Sequence, residues 1–162
     1  MKHLLLIRHA KSSWDFNVED FDRPLNDRGE KNAPEMAKRL IEKDIKIDAF
    51  VSSPANRALS TAKLFVDEYG KKAKTIITVP ALYSASIETF YSVIDELKDD
   101  DKAVAIFSHN PAITEFANEL TDTRVDDMPT CAIYAVKTDI KKWKDFRDAE
   151  KRFWFFDYPK SH

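Results

Sequence analysis

The chain has 162 residues, 43% hydrophobic and 33% charged, a mixture expected of a soluble folded protein whose residues 1–162 form one domain. Its 26 basic and 28 acidic residues leave a formal net charge of −2. That balance lacks the basic excess a nucleic-acid or membrane-surface partner demands, so any anion binding must be local. Cys131 is the single cysteine, which rules out an internal disulfide and fits a reducing, cytoplasmic setting. The apolar run near the N-terminus is too short for a signal-peptide core or a membrane span, and no later stretch is longer.

In chain order, Leu4–Ile7 is a continuous apolar run without polar alternation, which predicts a strand buried on both faces and ending at Arg8-His9. Lys11–Arg23 is a polar loop carrying Trp14, Phe16 and Phe21, a length that in a compact domain points to function. Asn26 caps a predicted helix running to about Lys43, with Ala33, Met36, Ala37, Leu40 and Ile41 on its apolar face. Pro34 either kinks that helix or delays its start. Ile47–Val51 predicts a second strand, followed by Ser52-Ser53. Ser53 then Pro54 reads as a cap and first-turn proline, opening a helix through Ala58, Ala62 and Phe65 to Gly70.

The β-branched run Thr75–Val79 predicts a third strand, and Ile87, Phe90, Ile94 and Leu97 have helical spacing up to the solvated turn Asp99–Asp101. Ala103–Phe107 is a fourth buried strand ending at Ser108-His109. Asn110-Pro111 repeats the cap-and-proline pattern before a helix carrying Ile113, Phe116, Ala117 and Leu120. Ala132–Val136 and a segment within Lys151–Phe156 read as strands, with a charged turn or short helix at 141–150 between them. The expected architecture is a mostly parallel sheet flanked by helices, with antiparallel strands near the C-terminus.

Three strand ends carry polar residues of one character: Arg8-His9, then Ser52-Ser53 with Arg57 a turn later, then His109. Ligands of open α/β sheets bind beyond the carboxyl ends of the strands, so these residues can meet at one edge. Two arginines supply planar forks for phosphate oxygens, and helix N-termini add donors and a positive dipole end. A neutral histidine there can act as a nucleophile toward phosphorus, with the surrounding cations stabilising the transferred group. The histidines His3, His9, His109 and His162 show no metal-ligand spacing, so neither metal nor cofactor is expected. Only Gly29 and Gly70 are present, which excludes glycine-rich nucleotide loops, and Cys131 lacks a downstream arginine at cysteine-phosphatase spacing. Trp14, Trp154 and Phe155 read as core or lid packing.

Arg8-His9-Ala10 after the first strand resembles the Arg-His-Gly/Ala signature of the histidine phosphatase (phosphoglycerate-mutase-like) superfamily. Ser52-Ser53-Pro54 with Arg57-Ala58 and Thr61-Ala62 is similar to its second motif, and Ser108-His109-Asn110-Pro111 to its third. Asp22-Arg23-Pro24-Leu25 followed by Gly29 resembles the small SixA-type branch of phosphohistidine phosphatases, as does the length, which leaves no room for a large cap insertion. The resemblance runs from residue 3 to about 137. It implies the three-layer α/β/α phosphoglycerate-mutase-like fold, a phosphohistidine intermediate on His9, and phosphoryl binding by Arg8, Arg57 and His109, with His109 also catalytic.

One departure bears on the substrate. Mutases and general phosphatases of the superfamily place an acidic proton donor after the third strand, where this chain reads Val79-Pro80-Ala81-Leu82-Tyr83-Ser84-Ala85-Ser86, with no carboxylate before Glu88. Loss of a general acid costs an alkoxide leaving group roughly a hundredfold or more, whereas imidazole leaves readily from a P–N bond. The expected substrate is therefore phosphohistidine on a signalling or phosphotransfer protein. Glu88, Asp22 and Arg23 are further candidates for acid or substrate contact; Asp15, Glu19, Asp20 and Asp22 in the first long loop are substitute donors or, by default, solvated loop carboxylates. The alternatives are a phosphatase for sugar or nucleotide phosphates, and a non-catalytic module that binds phosphorylated ligands.

Overall fold

Residues 1–15 and 17–161 are described by a computed structural model; Phe16 and His162, named above, lie outside the described residues. Six strands, β1 (Lys2–Arg8), β2 (Ala49–Ser52), β3 (Ile77–Thr78), β4 (Ala103–Ser108), β5 (Ile133–Thr138) and β6 (Lys151–Asp157), form one sheet in the order β3-β2-β4-β1-β5-β6. Pairings β1–β4, β2–β4 and β2–β3 are parallel, and β1–β5 and β5–β6 are antiparallel, as the apolar runs implied.

The central strands are apolar throughout because both faces are covered. On one face Leu5, Ile7, Phe50, Ala105 and Phe107 pack against α1 (Asp27–Glu42) and α2 (Asn56–Glu68) through Met36, Leu40, Phe65 and Val66. On the other, Leu4, Leu6, Val51, Val104 and Ile106 meet α3 (Ile87–Asp95) and α4 (Ala112–Leu120) through Phe90, Ile94, Ile113 and Phe116. Successive residues of each strand thus alternate between two cores, the period-2 geometry that defines three layers.

Several boundaries differ from expectation for local reasons. Pro34 stays inside α1, whose start at Asp27 is set by the Asn26 side chain accepting from Gly29 N at 2.9 Å. Ser53 is no helix cap: α2 begins at Asn56, and the Ser53 hydroxyl instead accepts from Ala55 N at 3.2 Å and bonds His109. Likewise Asn110 precedes α4 without capping its backbone, because its side chain engages Thr114, Asp127 and Met128. Thr75–Val79 yields only the two exposed edge residues of β3, since Ala73–Thr75 close into a 3-10 turn. A capping box between Ser86 and Thr89 starts α3, and 141–150 holds one 3-10 turn at Trp143–Asp145 around the buried Trp143.

Candidate active site

The register of the parallel strands builds the site. Arg8 lies opposite Ser108 in the β1–β4 pair, and Ser52 opposite Phe107 in the β2–β4 pair. One residue further on, His9 N donates to Ser108 O at 3.1 Å and Ser53 N to Phe107 O at 3.0 Å. His9, His109 and Ser53 therefore emerge side by side where the ladder ends. The two imidazoles lie 5.2 Å apart between ring centroids, each residue only 7% exposed.

Arg8, His9, Arg57 and His109 line a cleft of about 320 Å³ together with Lys11, Ser12 and Arg23. Among the described residues, its lining includes no Asp or Glu. Arg57, in the first turn of α2, is fixed through Thr61, whose hydroxyl donates to Arg57 O (2.7 Å) and accepts from Ala10 N (2.9 Å). That pair ties the second motif to the first. The 128–131 segment closes the other side: Arg8 Nη1 donates to Met128 O at 2.8 Å, and Cys131 N reaches Arg8 O and His9 O.

His9 Nδ1 lies 2.8 Å from Ala10 O. A carbonyl only accepts, so this contact places the proton on Nδ1 and leaves Nε2 with its lone pair, the tautomer a nucleophile needs. Burial, against the opposing Ala10 hydrogen bond and aided by His109, Arg8 and Arg57, pulls His9 down to about 3, so the ring is neutral at pH 7. Burial and the Arg57 charge likewise bring His109 to about 4. His109 Nε2 pairs with Ser53 Oγ at 2.8 Å. Two buried polar atoms, Arg8 Nε and His109 Nδ1, have no hydrogen-bond partner among the described residues. An unpaired buried donor is costly, and both atoms belong to residues lining an anion-sized, cation-rich cleft.

The remaining candidates separate. Arg23 enters the cleft, clamped by Ser12 Oγ and Ser13 O and covered by the Trp14 ring, 3.2 Å from guanidinium carbon to centroid. Glu88 does not reach it: on the first turn of α3 its carboxylate binds Arg147, and both side chains are largely exposed. Asp22 is exposed and does not line the cleft either, while its carbonyl accepts from Asn56 Nδ2. Of the loop carboxylates considered as substitute donors, Asp20 is the one tied into the site. Its oxygens accept from Tyr83 OH (2.7 Å), Arg23 Nη1 (3.0 Å) and Arg57 Nη2 (3.1 Å), and its carbonyl accepts from Arg57 Nη1 (2.7 Å). These partners, the Tyr83 hydrogen bond foremost, hold it near 2. Tyr83, from the Val79–Ser86 stretch that lacks a carboxylate, lies edge-on to His109 with ring centroids 5.7 Å apart. Ser53 was read as a cap and is the partner of His109. Among the described residues no group of three or more His, Cys, Asp or Glu could hold a metal ion.

A three-layer α/β/α fold with paired Arg-His and His motifs at adjacent strand ends defines a class, and the family comparison agrees. Residues 4–88, more than half the chain, match the family model of the histidine phosphatase superfamily (branch 1), and the chain belongs to that superfamily. Among curated relatives, an uncharacterised chloroplast protein of Arabidopsis thaliana is 26% identical over 153 residues, covering 89% of this chain and 70% of its own. An uncharacterised Mycobacterium tuberculosis protein is 30% identical over 116 residues, 68% of this chain and 67% of that one. Of solved structures, a protein from Agrobacterium tumefaciens assigned as phosphohistidine phosphatase SixA superposes with a TM-score of 0.82 at 24% identity, covering 98% of both chains. The protein histidine phosphatase SixA in complex with tungstate also gives 0.82, at 21% identity and 97% of both. A mycobacterial glucosyl-3-phosphoglycerate phosphatase gives 0.73 at 13% identity over the full length of both chains. These likenesses establish the phosphoglycerate-mutase-like fold.

Proposed function

We propose that this chain is a metal-independent phosphohistidine phosphatase in which His9 is the nucleophile. His9 Nε2 attacks phosphorus in line with the P–N bond of the substrate, forming a phosphohistidine on His9 as the substrate imidazole leaves and takes a proton from solvent. Water then attacks the phosphorus of that intermediate, releasing orthophosphate and regenerating neutral His9. Arg8, Arg57 and His109 hold the equatorial oxygens, whose charge they stabilise throughout. If Ser53 donates its hydroxyl to His109 Nε2, His109 carries its proton on Nδ1, the buried atom that has no partner among the described residues.

The observation that carries the substrate class is where the carboxylates point: Asp20 is taken by Arg23, Arg57 and Tyr83, and Glu88 by Arg147. The carboxylate nearest the phosphoryl cations is Asp20; held near 2, it is ionised at neutral pH and has no proton to give a leaving group. Glu88 is turned toward Arg147. Chemistry without an enzyme acid favours a leaving group that solvent alone can protonate, and the imidazole of a P–N bond is one. A histidine-phosphorylated signalling or phosphotransfer protein is the partner this implies. All six strands share one sheet, which supports reading 1–162 as one catalytic unit without a large cap. The buried, thiol-form Cys131 fits a cytoplasmic setting.

A phosphohistidine peptide assayed beside a panel of sugar, nucleotide and aryl phosphates tests the reading. The peptide is expected to react roughly a hundredfold faster in kcat/KM than alkyl esters, and His9→Ala to abolish turnover. A preference for alkyl esters would reject the phosphohistidine assignment in favour of a small-molecule phosphatase. Undiminished release by His9→Ala would reject the nucleophile.

A further inference from the structure

The catalytic cleft is not the end of the basic surface. Beyond it lies a second hollow of about 180 Å³, lined by Lys11, Arg28, Asn32, Thr130, Lys160 and neighbouring residues. Lys11 and Thr130 line both hollows, so the two are contiguous. Lys11, Arg28 and Lys160 are all exposed, and among the described residues none of them forms an ion pair. Among the described residues, no Asp or Glu lines the hollow, in a chain whose net charge is −2.

The three cations are held together by backbone structure. Lys11 O accepts from Asn26 N at 3.0 Å and presses on Gly29, where a Cβ would come within 2.1 Å of it. This fastens Lys11 to the first turn of α1, which carries Arg28. The C-terminal segment is fastened to the same helix, because Arg39 donates to Tyr158 O (2.9 Å) and Pro159 O (2.8 Å), bringing Lys160 to the rim. The opposite flank of the cleft has the other sign. There Asn110 donates to Asp127, and the adjoining hollow is lined by Glu115, Glu119, Asp126 and Asp127 against Arg124 alone. The residues lining the two flanks thus differ in sign, acidic at the α4 side and basic at the α1 side, where Asp27 and Glu30 on the first turn of α1 stay outside the lining.

We propose that Lys11, Arg28 and Lys160 form a specificity subsite for a second anionic group on the substrate, set beside the transferred phosphoryl group on the α1 side. This rests on the phosphatase reading above and adds to it the chemistry of the substrate's flank. On a protein substrate the group is the carboxylate of an Asp or Glu near the phosphorylated histidine; on a small one it is a second phosphate or carboxylate. Because the cations are solvent-exposed, their contribution is electrostatic and fades with salt.

Two phosphohistidine peptides identical but for Glu or Gln at the flanking positions, and a sugar bisphosphate with its monophosphate, form the substrate arms. The unmodified enzyme is expected to favour the Glu peptide about tenfold in kcat/KM, through KM, at low salt. The double charge reversal Arg28→Glu with Lys160→Glu removes that preference and leaves kcat on the Gln peptide unchanged. Discrimination confined to the bisphosphate identifies a small-molecule source for the anion and supports the subsite equally. Equal kcat/KM within both pairs, or a preference that survives the double reversal, overturns the proposal. Calorimetric binding of the same peptides with unphosphorylated histidine reads the subsite without turnover. Charge-dependent binding lost in the double variant, in an enzyme that hydrolyses none of the substrates, would count against the phosphatase reading and not against the subsite.

Discussion

Burying two neutral imidazoles beside two guanidinium groups makes folding sensitive to acid in a range where most carboxylates are still ionised. His9 and His109 are each 7% exposed and lie at about 3 and about 4, against 6.5 in an unstructured chain. Both folded values are depressed, so the unfolded chain binds more protons below 6.5. The stabilisation is fully present above 6.5 and is lost as pH falls toward the folded values. Between pH 7 and pH 5 each histidine costs about 2 kcal/mol, and the pair on the order of 4 kcal/mol, a large share of a domain's stability. His3, lowered first by burial, adds in the same direction. Asp20, near 2 in the folded state, titrates below this window and does not contribute to it. Urea denaturation at pH 7, 6 and 5 measures the slope, and His9→Gln and His109→Gln should each remove a substantial part of it. Equal stability at pH 7 and pH 5, or an unchanged slope in both variants, would refute the reasoning.

Asp20 occupies both nitrogens of the Arg57 fork, one by its carboxylate and one by its carbonyl, so an incoming phosphoryl group must displace at least the carboxylate. Its side chain is 48% exposed, which limits the screened ion pair to about 1 kcal/mol. Asp20→Ala should accordingly lower the inhibition constant of orthophosphate by about fivefold; weaker inhibition would mean that the carboxylate serves to preset Arg57. Gly29→Ala forces a Cβ onto the Lys11 carbonyl at 2.1 Å, a backbone contact that cannot rotate away. It is expected to destabilise by about 1–3 kcal/mol in denaturant titration and to lower kcat/KM by moving the 11–23 loop, whereas a wild-type midpoint would show the contact to be soft.

Much of this was readable in advance because burial on both faces writes itself as unbroken apolar runs. Leu4–Ile7 and Ala103–Phe107 could only be central strands, and their shared ending in His9 and His109 follows from a parallel register that puts Arg8 beside Ser108. What the sequence hid depends on contacts distant in the chain. Nothing local to Asp20 sets it apart from Glu19 or Asp22; its role comes from Tyr83, 63 residues away, and Arg57, 37 away. Ser53-Pro54 carried a valid capping pattern, but the hydroxyl faces His109 across the β2–β4 boundary, and that competition moved the helix start to Asn56. Glu88, the nearest acid in sequence to the expected position, sits on the solvent-facing first turn of α3, where Arg147 takes it.

The proposed turnover passes through a covalent step at one nitrogen. Rapid quenching of the enzyme with a 32P-labelled phosphohistidine peptide, followed by denaturation and mapping of the label, reads that step directly. A phosphate on His9 that is stable to alkali, lost in acid and missing from His9→Ala is the expected result. Turnover at full rate with no label on His9 would contradict it.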